Sequence, residues 1–270
     1  MADPSSTLFS NAHFNGQSVI VTGGTKGVGY GVAEAFLQAG ARVFICGRNA
    51  PEKLPHGGGR QAEFIAADVR KPEESQQLID TVLERSGRLD VLINNAGGSP
   101  AVKAADAPAK LTESIIRLNL IGPLVFSQQA FHALRKNPNG GSIVNIASIS
   151  GLRPSPGTAA YGAAKAGLIN VTRSLAQEWA ADKVRVNAII AGMIKTEASE
   201  DHYGGKKGIA LIEESLPMGR MAVPADIANA CLFLAQSSSA YISGAAVDVT
   251  GAGEPPMFLQ LAAQAAALSQ

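Results

Sequence analysis

Residues 17–38 have the sequence QSVIVTGGTKGVGYGVAEAFLQ, and this stretch decides the fold. Its first part, residues 17–22, is short and mostly apolar and predicts a buried strand. A glycine-rich turn at 22–29 follows and leads into a helical pattern that ends at Gln38. The first turn of a helix points unpaired N–H groups at an anion, and glycines let a pyrophosphate approach the backbone. The stretch therefore predicts a phosphate-binding turn at the start of an α/β domain.

Strand and helix patterns alternate along the rest of the chain. They predict a single Rossmann-type α/β domain, with a doubly wound parallel seven-stranded sheet and helices on both faces. The predicted strands are 17–22, 41–46, 63–66, 89–93, 142–147, 184–190 and 245–249, and the later helices are 73–85, 111–135, 158–181 and 226–235. The domain is expected to cover 1–270, with an N-terminal arm (1–15), a flexible connection (51–59), a substrate-loop insertion (197–220) and a C-terminal extension (254–270).

The composition excludes several function classes. The 23 Lys and Arg residues are balanced by 22 Asp and Glu, so no charge excess attracts nucleic acid or an anionic membrane. Cys46 and Cys231 lie in apolar segments without metal-ligand spacing, so we expect buried thiols and no metal site. No signal pattern or membrane-spanning apolar stretch is visible, which makes the cytoplasm the expected compartment.

A second informative stretch, SISGLRPSPGTAAYGAAK, occupies residues 148–165. Tyr161 and Lys165 are four residues apart in an Ala-rich helical segment, so their side chains share one face. A lysine ammonium beside a phenol lowers the tyrosine pKa and produces an acid–base group. Taken alone, such a pair is more often a packing tyrosine and a solvated lysine, so its interpretation depends on the surrounding residues.

The end of the second predicted strand indicates the cofactor. Dinucleotide-binding folds hold the ribose 2′-OH there with an acidic residue, but this chain has Gly47, followed by Arg48 and Asn49. Without a carboxylate to repel a 2′-phosphate, Arg48 and Lys26 supply positive charge that attracts it. This pattern favours NADP(H) over NAD(H); a solvated loop arginine is the alternative.

Together these motifs resemble those of the short-chain dehydrogenase/reductases over roughly residues 14–253. The supporting matches are TGxxxGxG at 22–29, NNAG at 94–97, Ser148 thirteen residues before Tyr161, YxxxK at 161–165 and YISGxxxDVxG at 241–251. The resemblance implies a catalytic group of four residues, in which Ser148 orients the substrate oxygen and Tyr161 transfers a proton. Lys165 would lower the pKa of that tyrosine and hold the nicotinamide ribose, and Asn119 would position a water.

The resemblance also implies binding residues. Cofactor contacts are expected from Gly23, Thr25, Lys26, Gly27, Val28, Gly29, Arg48, Asn49, Asp68, Val69, Asn95, Ala96, Gly97, Tyr161, Lys165, Gly192, Ile194 and Thr196. The predicted substrate residues are small or apolar: Gly98, Ser99, Pro100, Ser150, Pro154 and Met193, with the 197–220 insertion. The family usually has proline where this chain has Ala191, which predicts looser contact with the cofactor.

These features predict an NADP(H)-dependent oxidoreductase acting on a carbonyl or alcohol of a small to medium apolar molecule, similar to 3-oxoacyl reductases and other carbonyl reductases. Gln177, where similar acyl-carrier-protein reductases have arginine, disfavours a carrier-protein substrate. The alternative is a catalytically silent NADP(H)-binding regulatory protein of the same fold. A homotetramer or dimer is expected from the family's habit. The C-terminal extension is expected to pack on its own or a neighbouring subunit, or to close part of the pocket.

Overall fold

The computed structural model describes residues 13–197 and 199–268. Its main sheet contains seven parallel strands in the order β5-β2-β1-β6-β7-β8-β9, which confirms the predicted fold. The strands are β1 (Ser18–Thr22), β2 (Arg42–Gly47), β5 (Glu63–Ala66), β6 (Val91–Asn94), β7 (Gly141–Ser148), β8 (Val184–Ala191) and β9 (Ala246–Val249). The strand order changes direction between β1 and β6. In open parallel sheets this change creates a ligand crevice beyond the carboxyl ends of the strands.

Helices cover both faces of this sheet. They are α1 (Gly27–Gln38), α2 (Pro72–Ser86), α3 (Ala109–Ile116), α4 (Gly122–Leu134), α5 (Ala159–Trp179), α6 (Ser199–Tyr203), α7 (Gly205–Ser215), α8 (Pro224–Ala235) and α9 (Met257–Ala267). Successive side chains of a strand point to opposite faces, so Val19 and Val21 pack with α1 and α8. Ile20 packs on the other face with α2, α4 and α5. The sheet is therefore packed between two apolar layers, one on each face, which fix the position of its carboxyl edge.

The predicted helix 111–135 is wrong in one respect, because the structure breaks it into α3, a π-helical turn at Arg117–Ile121 and α4. Pro123 explains the break, since proline has no N–H to donate to the carbonyl four residues earlier, that of Asn119. A π turn accommodates one extra residue inside a helix and is frequent at functional sites. Here it contains Asn119, whose side chain is fully buried.

Two other segments are more regular than the sequence suggests. The predicted flexible connection 51–59 contains β3 (His56–Gly57), which pairs with β4 (Arg60–Gln61) in a small antiparallel hairpin. The predicted substrate loop contains α6 and α7, and a small apolar cluster of Ile209, Leu216 and Met221 stabilises it. The insertion is therefore a folded helical segment of the domain.

Phe14 lies inside the predicted N-terminal arm but belongs to the core. Its ring is fully buried and contacts Phe36 edge-on, with the ring centroids 5.0 Å apart. We expect Phe14→Ala to lower the free energy of unfolding by about 3–5 kcal/mol, because it leaves a cavity under α1. Urea denaturation measures this loss, and Phe233→Ala, at a half-exposed ring, is the control. A loss below about 1 kcal/mol would show that residues 13–16 contribute little to the core.

Candidate active site

The glycine turn lies between β1 and α1, at the change in strand direction. Gly23 and Gly27 have φ angles of 65° and 56°, in the left-handed region that favours glycine. The Asn95 side chain fixes this turn by donating hydrogen bonds to the carbonyls of Thr22 and Gly23, at 2.9 and 3.2 Å. A β-carbon added to Gly29 would lie only 2.3 Å from Asn95 Nδ2, so the close packing requires glycine there. The NNAG segment therefore supports the phosphate-binding turn.

A cleft of about 720 Å³ opens beside this turn, above the carboxyl ends of the strands. Most of the predicted cofactor residues line it: Gly23, Thr25, Lys26, Gly27, Val28, Gly29, Arg48, Asn49, Asp68, Val69, Asn95, Ala96, Gly97, Tyr161, Lys165, Gly192 and Thr196. Ile194 lies outside this lining and packs against the core beside α1 and α8. The cleft is long enough to bring the glycine turn and the predicted catalytic residues into one continuous space.

The predicted substrate residues are only partly in this cleft. Gly98 lines it, whereas Ser99, Ser150, Pro154 and Met193 do not. Met193 packs instead with the apolar cluster of the substrate loop. A substrate pocket made of those four residues therefore stays a prediction.

The far end of the cleft contains a cluster of charges beyond β2. The Arg70 guanidinium donates to both Asp68 carboxylate oxygens, with Nε 2.9 Å from Oδ1. This hydrogen bond holds the pKa of Asp68 below its usual value, and the charge of Arg48 lowers that pKa further. Arg70 thus neutralises the Asp68 carboxylate, and with Arg48 in the same lining this end of the cleft is suited to an anion. No sequence motif points to Arg70, although it lies only two residues after Asp68.

The predicted catalytic residues come together at the opposite end of the cleft. Ser148 ends β7, while Tyr161 and Lys165 lie on α5, and a hydrogen bond joins the Tyr161 and Ser148 hydroxyls. The Lys165 ammonium lies 5.5 Å from the centre of the Tyr161 ring and donates a 2.7 Å hydrogen bond to the Ile146 carbonyl. Ser148 lines the cleft and accepts a hydrogen bond from the Ser150 backbone N–H, and its choice over Ser150 as the catalytic serine stays a prediction.

The electrostatics of this pair differ from the sequence prediction. Burial raises the pKa of Tyr161, the bond to Ser148 opposes that rise, and the nearby phenol of Tyr203 adds to it. The Lys165 ammonium, which faces the ring and the Ile146 carbonyl, does not offset this rise. Burial lowers the pKa of Lys165 itself to about 8. At neutral pH the pair therefore consists of a protonated phenol and a mostly protonated ammonium.

Asn119 supports the site from the π turn. Its side-chain oxygen accepts from the Gly98 N–H, and its amide donates to the carbonyls of Gly98 and Ile115, each at 2.9 Å. A β-carbon on Gly97 would lie 2.7 Å from the Asn119 oxygen and 3.2 Å from the Lys165 ammonium. Asn119 thus fixes the loop at Gly97 and Gly98, which lies next to the Lys165 ammonium. Its predicted role in positioning a water stays a prediction.

Several residues at the site were not predicted from the sequence. Tyr203, on α6, acts electrostatically on Tyr161 and packs with the substrate-loop cluster. Glu197 lines the cleft and accepts a hydrogen bond from the Gly27 backbone N–H. The sequence places Tyr203 in the predicted 197–220 insertion, but no periodic pattern distinguishes it from the other residues of that segment.

The comparison with known proteins is consistent with this geometry. A family model described as "Enoyl-(Acyl carrier protein) reductase" matches residues 23–251. This chain belongs to the short-chain dehydrogenase/reductase family. The match ends before α9, so the C-terminal helix lies outside the shared domain. Members of the family act on carbonyl and alcohol groups with a nicotinamide dinucleotide, and this chain is one of its oxidoreductases.

Relatives with different substrates share this family. The 3-oxoacyl-[acyl-carrier-protein] reductase of Chlamydia trachomatis is 35% identical over 241 residues, covering 87% of this chain and 96% of the relative. The 2-dehydro-3-deoxy-D-gluconate 5-dehydrogenase of Escherichia coli is 32% identical over 247 residues, covering 90% and 98%. A solved short-chain dehydrogenase/reductase of Mycobacterium ulcerans superimposes with a TM-score of 0.81 and 27% identity, covering 88% and 90%. Similarity therefore identifies the reaction class and leaves the substrate open.

Within residues 13–197 and 199–268, no group of three or more His, Cys, Asp and Glu side chains is arranged to hold a metal ion. Among the helices of this described part, none is both long and apolar enough to cross a membrane.

Proposed function

We propose that this protein is an NADP(H)-dependent oxidoreductase that transfers a hydride between the nicotinamide and a carbonyl or secondary alcohol of a small to medium apolar substrate. The observation that carries this proposal is the presence of Ser148, Tyr161 and Lys165 in the same cleft as the glycine turn. The left-handed glycines and the N-terminus of α1 suit a pyrophosphate. A homotetramer or dimer in the cytoplasm, without nucleic-acid or membrane partners, completes the proposal.

The residues divide the chemistry between them. Bound nicotinamide supplies or accepts the hydride. Ser148 orients the substrate oxygen by hydrogen bonding, and Tyr161 transfers the proton at that oxygen. Burial raises the pKa of the Tyr161 phenol, so at neutral pH the phenol is protonated and can donate the proton when a carbonyl is reduced. Lys165 adds positive charge beneath the ring and stabilises negative charge as it develops on the phenol oxygen.

The lining of the substrate loop favours an apolar substrate. Met193, Tyr203 and Ile212 are partly buried and pack against the cluster of Ile209, Leu216 and Met221, so this segment presents apolar side chains. An apolar ketone contacts such side chains without leaving polar groups unpaired. Incubating the protein with NADPH and a series of ketones of increasing chain length, while following oxidation of NADPH by absorbance, tests the reaction and identifies the substrate class.

Arg48 is expected to determine the choice between NADPH and NADH. We expect Arg48→Ala to lower kcat/KM for NADPH about 10- to 100-fold, because a charged hydrogen bond contributes ~1.5–3 kcal/mol. The value for NADH should change less than about twofold, since it has no 2′-phosphate. Steady-state kinetics with both cofactors measures the two ratios, and Arg60→Ala, an exposed arginine of β4, is the control. A wild-type protein that prefers NADH would contradict the assignment to NADP(H).

A further inference from the structure

The N-terminus of α1 is bonded by a residue distant in the sequence. Gly27 is the first residue of α1, and its N–H donates a 2.9 Å hydrogen bond to the Glu197 carboxylate, 170 residues away along the chain. The helix has no acidic residue in its first turn and no side-chain hydrogen bond from its N-cap, Lys26. Glu197 therefore supplies the negative charge that the positive end of the helix favours.

The position of Glu197 in the chain connects this contact to the substrate loop. The segment before it is anchored, because Lys195 N–H donates to the Ala222 carbonyl at 2.8 Å and Ala222 N–H donates to the Met193 carbonyl at 2.9 Å. Glu197 is the first residue of the predicted loop 197–220, and α6 begins two residues later. Its side chain is exposed and borders both the main cleft and an adjoining cleft that contains Lys26.

A carboxylate at this position opposes a phosphate. The proposed cofactor needs the N–H groups of the glycine turn for its pyrophosphate, and the Gly27 N–H is one of them. One N–H cannot give both acceptors a full hydrogen bond, and the two anions also repel each other at close range. Glu197 must therefore move away for the phosphate to bind, and the loop that starts with it loses its contact with α1.

We propose that Glu197 competes with the cofactor phosphates for the Gly27 N–H, so that cofactor entry releases the substrate loop from α1. This inference rests on the proposed cofactor use and adds an internal competitor to it. It implies that cofactor affinity is set partly by a residue of the substrate loop. Linkage makes this effect reciprocal. If a substrate that keeps the loop away from α1 strengthens cofactor binding by some factor, bound cofactor strengthens binding of that substrate by the same factor.

Direct binding measurements test the competition. Glu197→Gln keeps the size of the side chain and removes its charge, so the Kd for NADPH, measured by fluorescence titration, should fall about three- to tenfold at low salt. The difference from wild type should shrink in 1 M KCl, since the Debye length is then about 3 Å. Glu200→Gln, the same change at an exposed position of α6, should alter the Kd less than about twofold.

Proteolysis tests the connection to the loop without any cofactor. Lys206 and Lys207 are exposed on α7, and trypsin should cleave there at least about threefold faster in Glu197→Gln than in wild type or Glu200→Gln. Equal or weaker NADPH binding by Glu197→Gln, or an equal cleavage rate, would overturn the inference while leaving the proposed function intact. If the wild-type protein bound neither NADPH nor NADH, the proposed function itself would fail.

Discussion

Replacing Tyr161 with phenylalanine is expected to reduce kcat about 1,000-fold or more while leaving NADPH binding nearly unchanged. The substitution removes only the hydroxyl that exchanges a proton with the substrate oxygen, and positioned acid–base groups contribute about 10²–10⁴-fold. The ring remains in place over the Lys165 ammonium. Single-turnover kinetics with NADPH and the best ketone measures the loss, and fluorescence titration measures the retained Kd.

The controls separate catalysis from folding. Tyr241→Phe removes the hydroxyl of a fully exposed tyrosine and should leave kcat within about twofold of wild type. Thermal denaturation should give nearly the same Tm for all three proteins. If Tyr161→Phe kept more than a tenth of the wild-type kcat, the proton would have to come from another group. Tight NADPH binding by a wild-type protein that reduced no carbonyl compound would favour the regulatory alternative.

The sequence predicted those parts of the site that depend on short-range spacing. Ser148 follows the end of a strand, and Tyr161 and Lys165 are one helical turn apart, so their approach follows from local geometry. The seven strands were predicted because buried parallel strands form apolar runs between glycine-rich turns. The π turn at Asn119 was missed because one extra residue does not visibly change a helical pattern of apolar residues. Pro123, which causes the break, was present in the sequence.

The remaining features depend on contacts between distant segments. The contact between Glu197 and Gly27 spans 170 residues and has no local signature. The pKa of Tyr161 also could not be read from its spacing to Lys165, because burial, which the spacing does not show, raises that pKa. Spacing shows that two side chains share a helix face, but not where the ammonium points. Here it points to the Ile146 carbonyl, which only the packing of α5 on β7 determines.

Lys165→Met is expected to remove most activity and at the same time to stabilise the fold. Only 3% of Lys165 is exposed, and burial lowers its pKa to about 8, so the folded protein holds a charge that its surroundings disfavour. Methionine fills similar space without charge, and we expect a gain in the free energy of unfolding of about 1–3 kcal/mol at pH 7. The Ile146 carbonyl loses a donor, which limits the gain. The kcat should fall at least about 100-fold.

The pH dependence of this gain identifies its cause. Below pH 8 the lysine is protonated in both the folded and the unfolded chain, so the wild type bears the full penalty of the buried charge. Between about pH 8 and 10.5 the unfolded chain binds more protons, so wild-type stability rises relative to Lys165→Met and the difference narrows. Urea denaturation from pH 6 to 10 measures this difference, with Lys110→Met, at an exposed lysine of α3, as the control. If the gain in the free energy of unfolding stayed constant over this range, better packing rather than removal of the charge would explain it. If Lys165→Met were less stable than wild type, the ammonium bond to Ile146 would outweigh the penalty of burial.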